Sequence, residues 1–187
     1  MSTHAETTNG QPPNIGAAPP HNLEAEQSVL GAILLSERTM HALVIDEGLE
    51  PEHFYGERHR VIFAAMLDLY ARSEPIDVVT VRARLRETGK LSDAGGDATV
   101  DMLAAPVPNV GNLRQYAQIV RDNAVLRRLL ATAQEIQGQV LNQRQEPRDI
   151  VERAEKAILE VAHDKRKREF KVIRDVLLTE LTKLEEL

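Results

Sequence analysis

The stretch from Asn112 to Val161 restricts the possible folds of this chain more than any other. Tyr116, Ile119, Leu126, Leu129, Ala133, Ile136 and Val140 recur at threes and fours. That is the period of one helix face and, from Leu126 onward, of a heptad seam. Asn112 suits an N-cap, Gln115 completes the capping-box spacing, and the helix is expected to stop between Asn142 and Pro147. Roughly thirty residues of helix make about 45 Å of rod. Pro147 fits the first turn of a returning helix, to which Ile150, Val151, Ala154, Ile158 and Val161 give a matching stripe. The first helix also carries Ala117, Val120, Ala124, Val125, Leu130 and Ala131 beside its seam. A band that wide exceeds what one antiparallel neighbour can cover, and the surplus marks a partner surface or a domain contact.

Only 3% of the residues are aromatic and none is Trp, so the core has to be built from Leu, Ile, Val and Ala, as helical bundles are. The expected class is all-α. With 187 residues there is room for one core and an appended hairpin. The absence of cysteine excludes disulfides, a thiolate nucleophile and Cys-based zinc sites. A formal net charge of −6 argues against a chain whose main task is to coat phosphate backbones, while leaving room for a local basic patch. No apolar run reaches the length of a membrane span, and the N-terminus lacks the order of a signal peptide. The expected compartment is the cytoplasm, with no membrane partner.

From the N-terminus, residues 1–20 mix Thr, Asn, Gly and Pro without apolar periodicity and are expected to be a disordered tail. Residues 21–108 read as a compact helical head. Asn22 can cap a first helix with Leu23, Leu30, Ile33 and Leu34 in a stripe and with Glu24 and Glu26 in its first turn. A second short helix opens at Ser36, turns Met40, Leu43 and Val44 inward and ends near Gly48. Phe54 and Tyr55 are expected to plug the core between helices, rather than form a ligand platform. Arg58 to Ala71 reads as the strongest helix of the head. Val78-Val79-Thr80-Val81 has strand-like residues, but Asp77 caps the run, good helix formers continue it and Gly89 closes it, so a helix is expected. Gly95-Gly96 marks a turn before a helix from Asp97 to Ala105, and the Pro106 to Gly111 loop separates the head from the hairpin at 109–163. A linker at 164–169 contains Lys165-Arg166-Lys167-Arg168. A final amphipathic helix at 170–187 aligns Phe170, Ile173, Leu177, Leu181, Leu184 and Leu187, and has no evident partner within the chain.

Catalytic chemistry finds little support. The one Gly-Lys pair, Gly89-Lys90, is followed by Leu91 and has Arg84 where a P-loop needs its first glycine. His53 and His59, near Glu52 and Glu57, lack the spacing of a metal motif and are expected on the solvated side of a loop and helix start. No carboxylate pair stands out as a general acid and base. The basic run at 165–168 reads as a soluble linker, with phosphate contact as the alternative; Arg121, Arg127 and Arg128 read as a solvated face that could meet an acidic partner.

The block Pro20-His21-Asn22-Leu23-Glu24-Ala25-Glu26-Gln27-Ser28-Val29-Leu30-Gly31 resembles the opening of the N-terminal domain of bacterial DnaB-type replicative DNA helicases. Later blocks agree in order: Phe54-Tyr55 with His59-Arg60 and Ile62-Phe63, Pro75 to Thr80, Gly95-Gly96, and Tyr116-Ala117 through Leu126 to Leu129. The likeness runs from His21 to Leu187. Thr99-Val100 departs from it, since the family commonly has Tyr-Leu there. The resemblance implies a collar in which hairpins of neighbouring subunits pair and six domains form a ring, a trimer of dimers. The implied interface residues are Tyr116, Ile119, Val120, Leu126, Leu129, Ile136, Val140 and Ile158. Phe170, Ile173, Leu177, Leu181 and Leu184 would dock a linker helix on a neighbouring motor domain. The parent enzyme would unwind duplex DNA 5′ to 3′ at the fork with ATP and Mg, in a motor expected beyond Leu187. This chain alone is therefore expected to be inactive, with no catalytic residue, cofactor or metal of its own. Implied partners are a second copy, the C-terminal domain of primase within a primosome, a helicase loader, and DNA through the motor. The alternative reading is a free-standing helical DNA-binding module using Lys165 to Arg168 and Arg121 to Arg128.

Overall fold

The computed structural model describes residues 18–104, 112–142 and 146–162, and every regular element among them is helical. Helix α1 (Leu23–Leu35) begins where the Asn22 side chain accepts a hydrogen bond from the Ala25 amide at 2.9 Å. Helix α2 (Arg38–His41) runs on into a π-helical turn (Ala42–Asp46), and Gly48 (φ +55°) reverses the chain after it. A 3-10 turn (Pro51–His53) leads to α3 (Glu57–Ala71). The Asp77 carboxylate accepts from the Val79 and Thr80 amides and starts α4 (Val78–Glu87), so the β-branched run is helical as its cap predicts. Gly89 (φ +69°) lets the chain leave α4 in the left-handed region. Helix α5 (Asp97–Leu103) follows Gly95 and Gly96; α6 is Leu113–Asn142, and α7 spans residues 147–162.

The core lies where α1, α3, α4 and α5 meet the first half of α6. Leu30, Ile33, Met40, Phe54, Ile62, Phe63, Met66 and Leu85 are fully enclosed, and the Phe54 and Phe63 rings pack tilted with centroids 4.8 Å apart. Helix α6 contributes Ala117 and Val120 to the same cluster and packs chiefly on α1. The core thus takes in the first turns of α6, residues that the sequence division assigned to the hairpin. The expected loop at 106–111, the tail through residue 17, the basic run and the expected linker helix lie outside the described residues.

Three expectations for the head change. Leu23 is exposed, because the buried stripe of α1 runs through Ala25, Val29, Leu30 and Ile33. Phe54 plugs the core as expected, but Tyr55 stays half-buried and stacks on His21 with ring centroids 4.4 Å apart. His53 and His59 are buried at 7% exposure each, not solvated.

Candidate interaction surface

Helix α6 has two halves with different surroundings. Ala117, Val120 and Ala124 are its buried residues, and none after Ala124 is enclosed. Its root is fastened by cations as well as by packing. Arg121 donates to the backbone carbonyl of Glu47 and, at 2.6 Å, to Glu47 Oε2; Arg114 holds Glu47 Oε1 at 2.9 Å. One turn beyond Ala124, Arg127 donates from Nη1 to the Pro20 carbonyl (2.9 Å) and from Nη2 to the His53 carbonyl (2.7 Å). Its guanidinium carbon lies 5.6 Å from the centroid of the Tyr55 ring. Burial pushes the Arg127 pKa down, Glu26 pulls it up and the neighbouring Arg60 charge lowers it. Arg121 and Arg127 are therefore internal fasteners rather than a solvated basic face.

Beyond this root, among the described residues, several large apolar side chains are exposed. Leu126, Leu129, Leu130, Val140 and Leu141 of α6 are exposed, and so are Val151, Ile158 and Leu159 of α7. The two helices share a cleft lined by Ile136 and Gln139 from one and Ala154 and Ala157 from the other. Small alanines on α7 bury little of α6, so the inner seam covers Ile136 only in part and leaves the outer stripe bare. Fully covering a Leu or Ile side chain is worth about 1.5–3 kcal/mol, so a stripe of this kind is a strong incentive to associate.

The residues expected at an interface divide accordingly. Leu126, Leu129, Val140 and Ile158 are exposed on the hairpin, and Ile136 is half-covered by α7. Tyr116 and Ile119 are half-buried against the head core, and Val120, at 1% exposure, lies inside it. Val120 is thus unavailable to a partner. Its place in the apolar band predicted burial, but periodicity could not say against which surface. Phe170, Ile173, Leu177, Leu181 and Leu184 lie outside the described residues.

A second feature is the buried acid–base pair of the head, which the sequence does not signal. Glu26 Oε1 accepts from the Tyr55 amide (2.7 Å); Oε2 accepts from the Gly56 amide (3.1 Å) and from His59 Nδ1–H (2.7 Å). Burial pushes the Glu26 carboxyl up, but the His59 hydrogen bond, the two amides and the His59 charge outweigh it and hold the pKa below its ordinary value. A Cβ at Gly56 would stand 2.8 Å from His59 Nδ1 and 3.2 Å from Glu26 Oε2, so the glycine makes room for the pair. The carboxylate holds the two amides that lead into α3 from another helix. Its role is to join α1, α3 and the loop between them. Among the described residues no three His, Asp or Glu side chains are grouped to hold a metal ion, and no helix is long and apolar enough to cross a membrane.

Comparison with known proteins gives a consistent result. Residues 18–122 match the family described as the DnaB-like helicase N terminal domain. The chain is 40% identical over 169 residues to the replicative DNA helicase DnaC of Bacillus subtilis (strain 168), covering 90% of this chain and 37% of the relative. It is 39% identical over 160 residues to the replicative DNA helicase DnaB of Geobacillus stearothermophilus, covering 86% and 35%. The chain therefore spans about a third of the length of these relatives. Its fold matches the crystal structure of the N-terminal domain of DnaB helicase from Mycobacterium tuberculosis with a TM-score of 0.71 and 37% identity, over 76% of this chain and 99% of that one. It also matches a DnaB-like replicative helicase whose structure was described with its interactions with primase, with a TM-score of 0.60 and 28% identity, over 89% of this chain and 35% of that one.

Proposed function

The chain belongs to the DnaB-like helicase N-terminal domain family, and from that premise we propose that it is the collar module of a hexameric replicative helicase. It gathers subunits into a ring through its hairpin and offers the assembled collar to primase. Unwinding, ATP and Mg belong to a motor domain outside these residues, and the protein works in the cytoplasm at the replication fork. One observation carries this reading: among the described residues α6 beyond Ala124 and α7 enclose no apolar side chain, and Leu126, Leu129, Leu130, Val140, Val151, Ile158 and Leu159 stand exposed on them. A similar helicase has been described with its interactions with primase, which supports primase as the second partner.

Sedimentation velocity across a concentration series tests the first part. The expected result is reversible self-association that Leu126→Asp abolishes; a strict monomer at high concentration, unchanged by that substitution, would overturn it. Calorimetry of assembled rings against the C-terminal domain of the cognate primase tests the second, and absence of any binding heat would exclude it. No observation favours a DNA-binding module, since Arg121 and Arg127 are engaged within the chain.

A further inference from the structure

Arg127 stands at the point where α6 leaves the head, one turn after Ala124, the last residue of that helix to be enclosed. It joins three parts of the chain that are distant in sequence. Nη1 holds the Pro20 carbonyl, Nη2 holds the His53 carbonyl, and the guanidinium lies over Tyr55, on which His21 is stacked. The strap before α1 and the 3-10 turn are thereby tied to one residue of α6.

This fork is an expensive way to gain stability. Among the described residues Arg127 has no carboxylate within ion-pair distance; its charge is balanced at longer range by buried Glu26 and opposed by Arg60. Desolvation of the cation offsets part of what its two hydrogen bonds contribute, so what the fork adds most plainly is a fixed geometry. Arginine is suited to the task because its planar fork donates to two carbonyls from two nitrogens at a fixed angle, whereas an ammonium group donates from one freely turning nitrogen.

We propose that Arg127 is a positioning residue that fixes the direction in which the hairpin leaves the head, with the Pro20–His21 strap as its removable half. Arg121 and Arg114 pin α6 further back through Glu47, and Ala117, Val120 and Ala124 pack there as far as the last enclosed turn; beyond it, packing alone no longer holds the direction of the helix. Arg127 supplies a further point of attachment. Loosening the strap releases the hairpin's direction without unfolding the head. This rests on the reading of the hairpin as an assembly element only for its purpose, not for the geometry.

The chain has no cysteine, so two can be introduced for spin labels at the exposed Ser92 and Gln137 and the distance between head and hairpin measured by pulsed electron resonance, with labelled protein diluted into unlabelled. The starting protein is expected to show one narrow peak. Arg127→Lys, which keeps the charge but replaces the rigid two-nitrogen fork by a single nitrogen on a flexible stem, should broaden that single peak while circular dichroism keeps the helix content; a width equal to the starting protein overturns the proposal. Arg127→Met should broaden the distribution further, and His21→Ala should broaden it less. If Arg127→Met fails to fold, the lysine variant decides alone. Sedimentation velocity on the same samples separates the two readings: a strict monomer overturns the assembly role and leaves the distance test standing, whereas an unchanged distance distribution in an associating variant overturns only the role of Arg127.

Discussion

The head and the outer hairpin are made from much the same aliphatic residues, and among the described residues only the head encloses any of them. In the head, Leu30, Ile33, Ile62 and Met66 are sealed; on the hairpin, Leu126, Leu129 and Leu130 lie open at 42–49% exposure. The difference is one of geometry rather than composition. Five helices can surround a residue on every side, while two helices in a hairpin cover one face of each other at most. A head of this kind holds itself together, and a hairpin of this kind needs another surface to be complete. The boundary between the two regimes falls inside α6, after Ala124.

That contrast can be broken by substitutions placed on either side. The largest effect is expected from Phe63→Ala, which removes a fully enclosed ring packed on Phe54 and should cost about 3–5 kcal/mol in urea unfolding. Its hairpin counterpart, Leu129→Asp, should leave the unfolding of the single chain nearly unchanged. It should weaken self-association by on the order of 2 kcal/mol, about thirtyfold in sedimentation equilibrium; a loss of monomer stability instead would erase the distinction between the regions.

Smaller effects sharpen the picture within the head. Glu26→Gln leaves the Tyr55 and Gly56 amides and His59 with a weaker acceptor and should cost roughly 1–3 kcal/mol at neutral pH. Because the folded pKa of Glu26 lies below its ordinary 4.5, its contribution is complete above that value and is lost as the pH falls through the folded pKa. The variant should therefore show a flatter loss of stability in acid, measured by urea unfolding from neutral pH downward. The smallest effect belongs to Asp77→Ala, which removes the cap of α4 and should cost about 1 kcal/mol with no change in association.

Local signals in the sequence carried much of the fold. Asn22 and Asp77 cap as their types suggest, Gly89 and Gly48 sit where the chain turns left-handed, and the valine-rich run after Asp77 is helical because its cap and its continuation agree. What could not be read were pairings between distant positions. Glu26 and His59 are 33 residues apart, and nothing near either one announces the other; a glutamate in a first helical turn normally faces water, so its burial had no local sign. Arg127 is separated by 107 residues from Pro20, whose carbonyl it holds. For α6 the period identified the apolar band, including Val120 and Leu126 alike, but a period has no knowledge of what lies opposite. Only the three-dimensional arrangement separates the part that meets α1 from the part left exposed.

Helix α6 continues eighteen residues beyond Ala124, a length of about 27 Å. A tilt of about 10° at its root would carry its tip sideways by about 5 Å, close to the 5.4 Å pitch of a helix turn. Whatever surface receives the outer stripe would then meet it roughly one turn out of place. The tolerance for angular error at the root is consequently small, and side chains such as Glu47 and Arg127, which hold the root of α6 to the head, bear on whether contacts several turns away are made in the correct alignment.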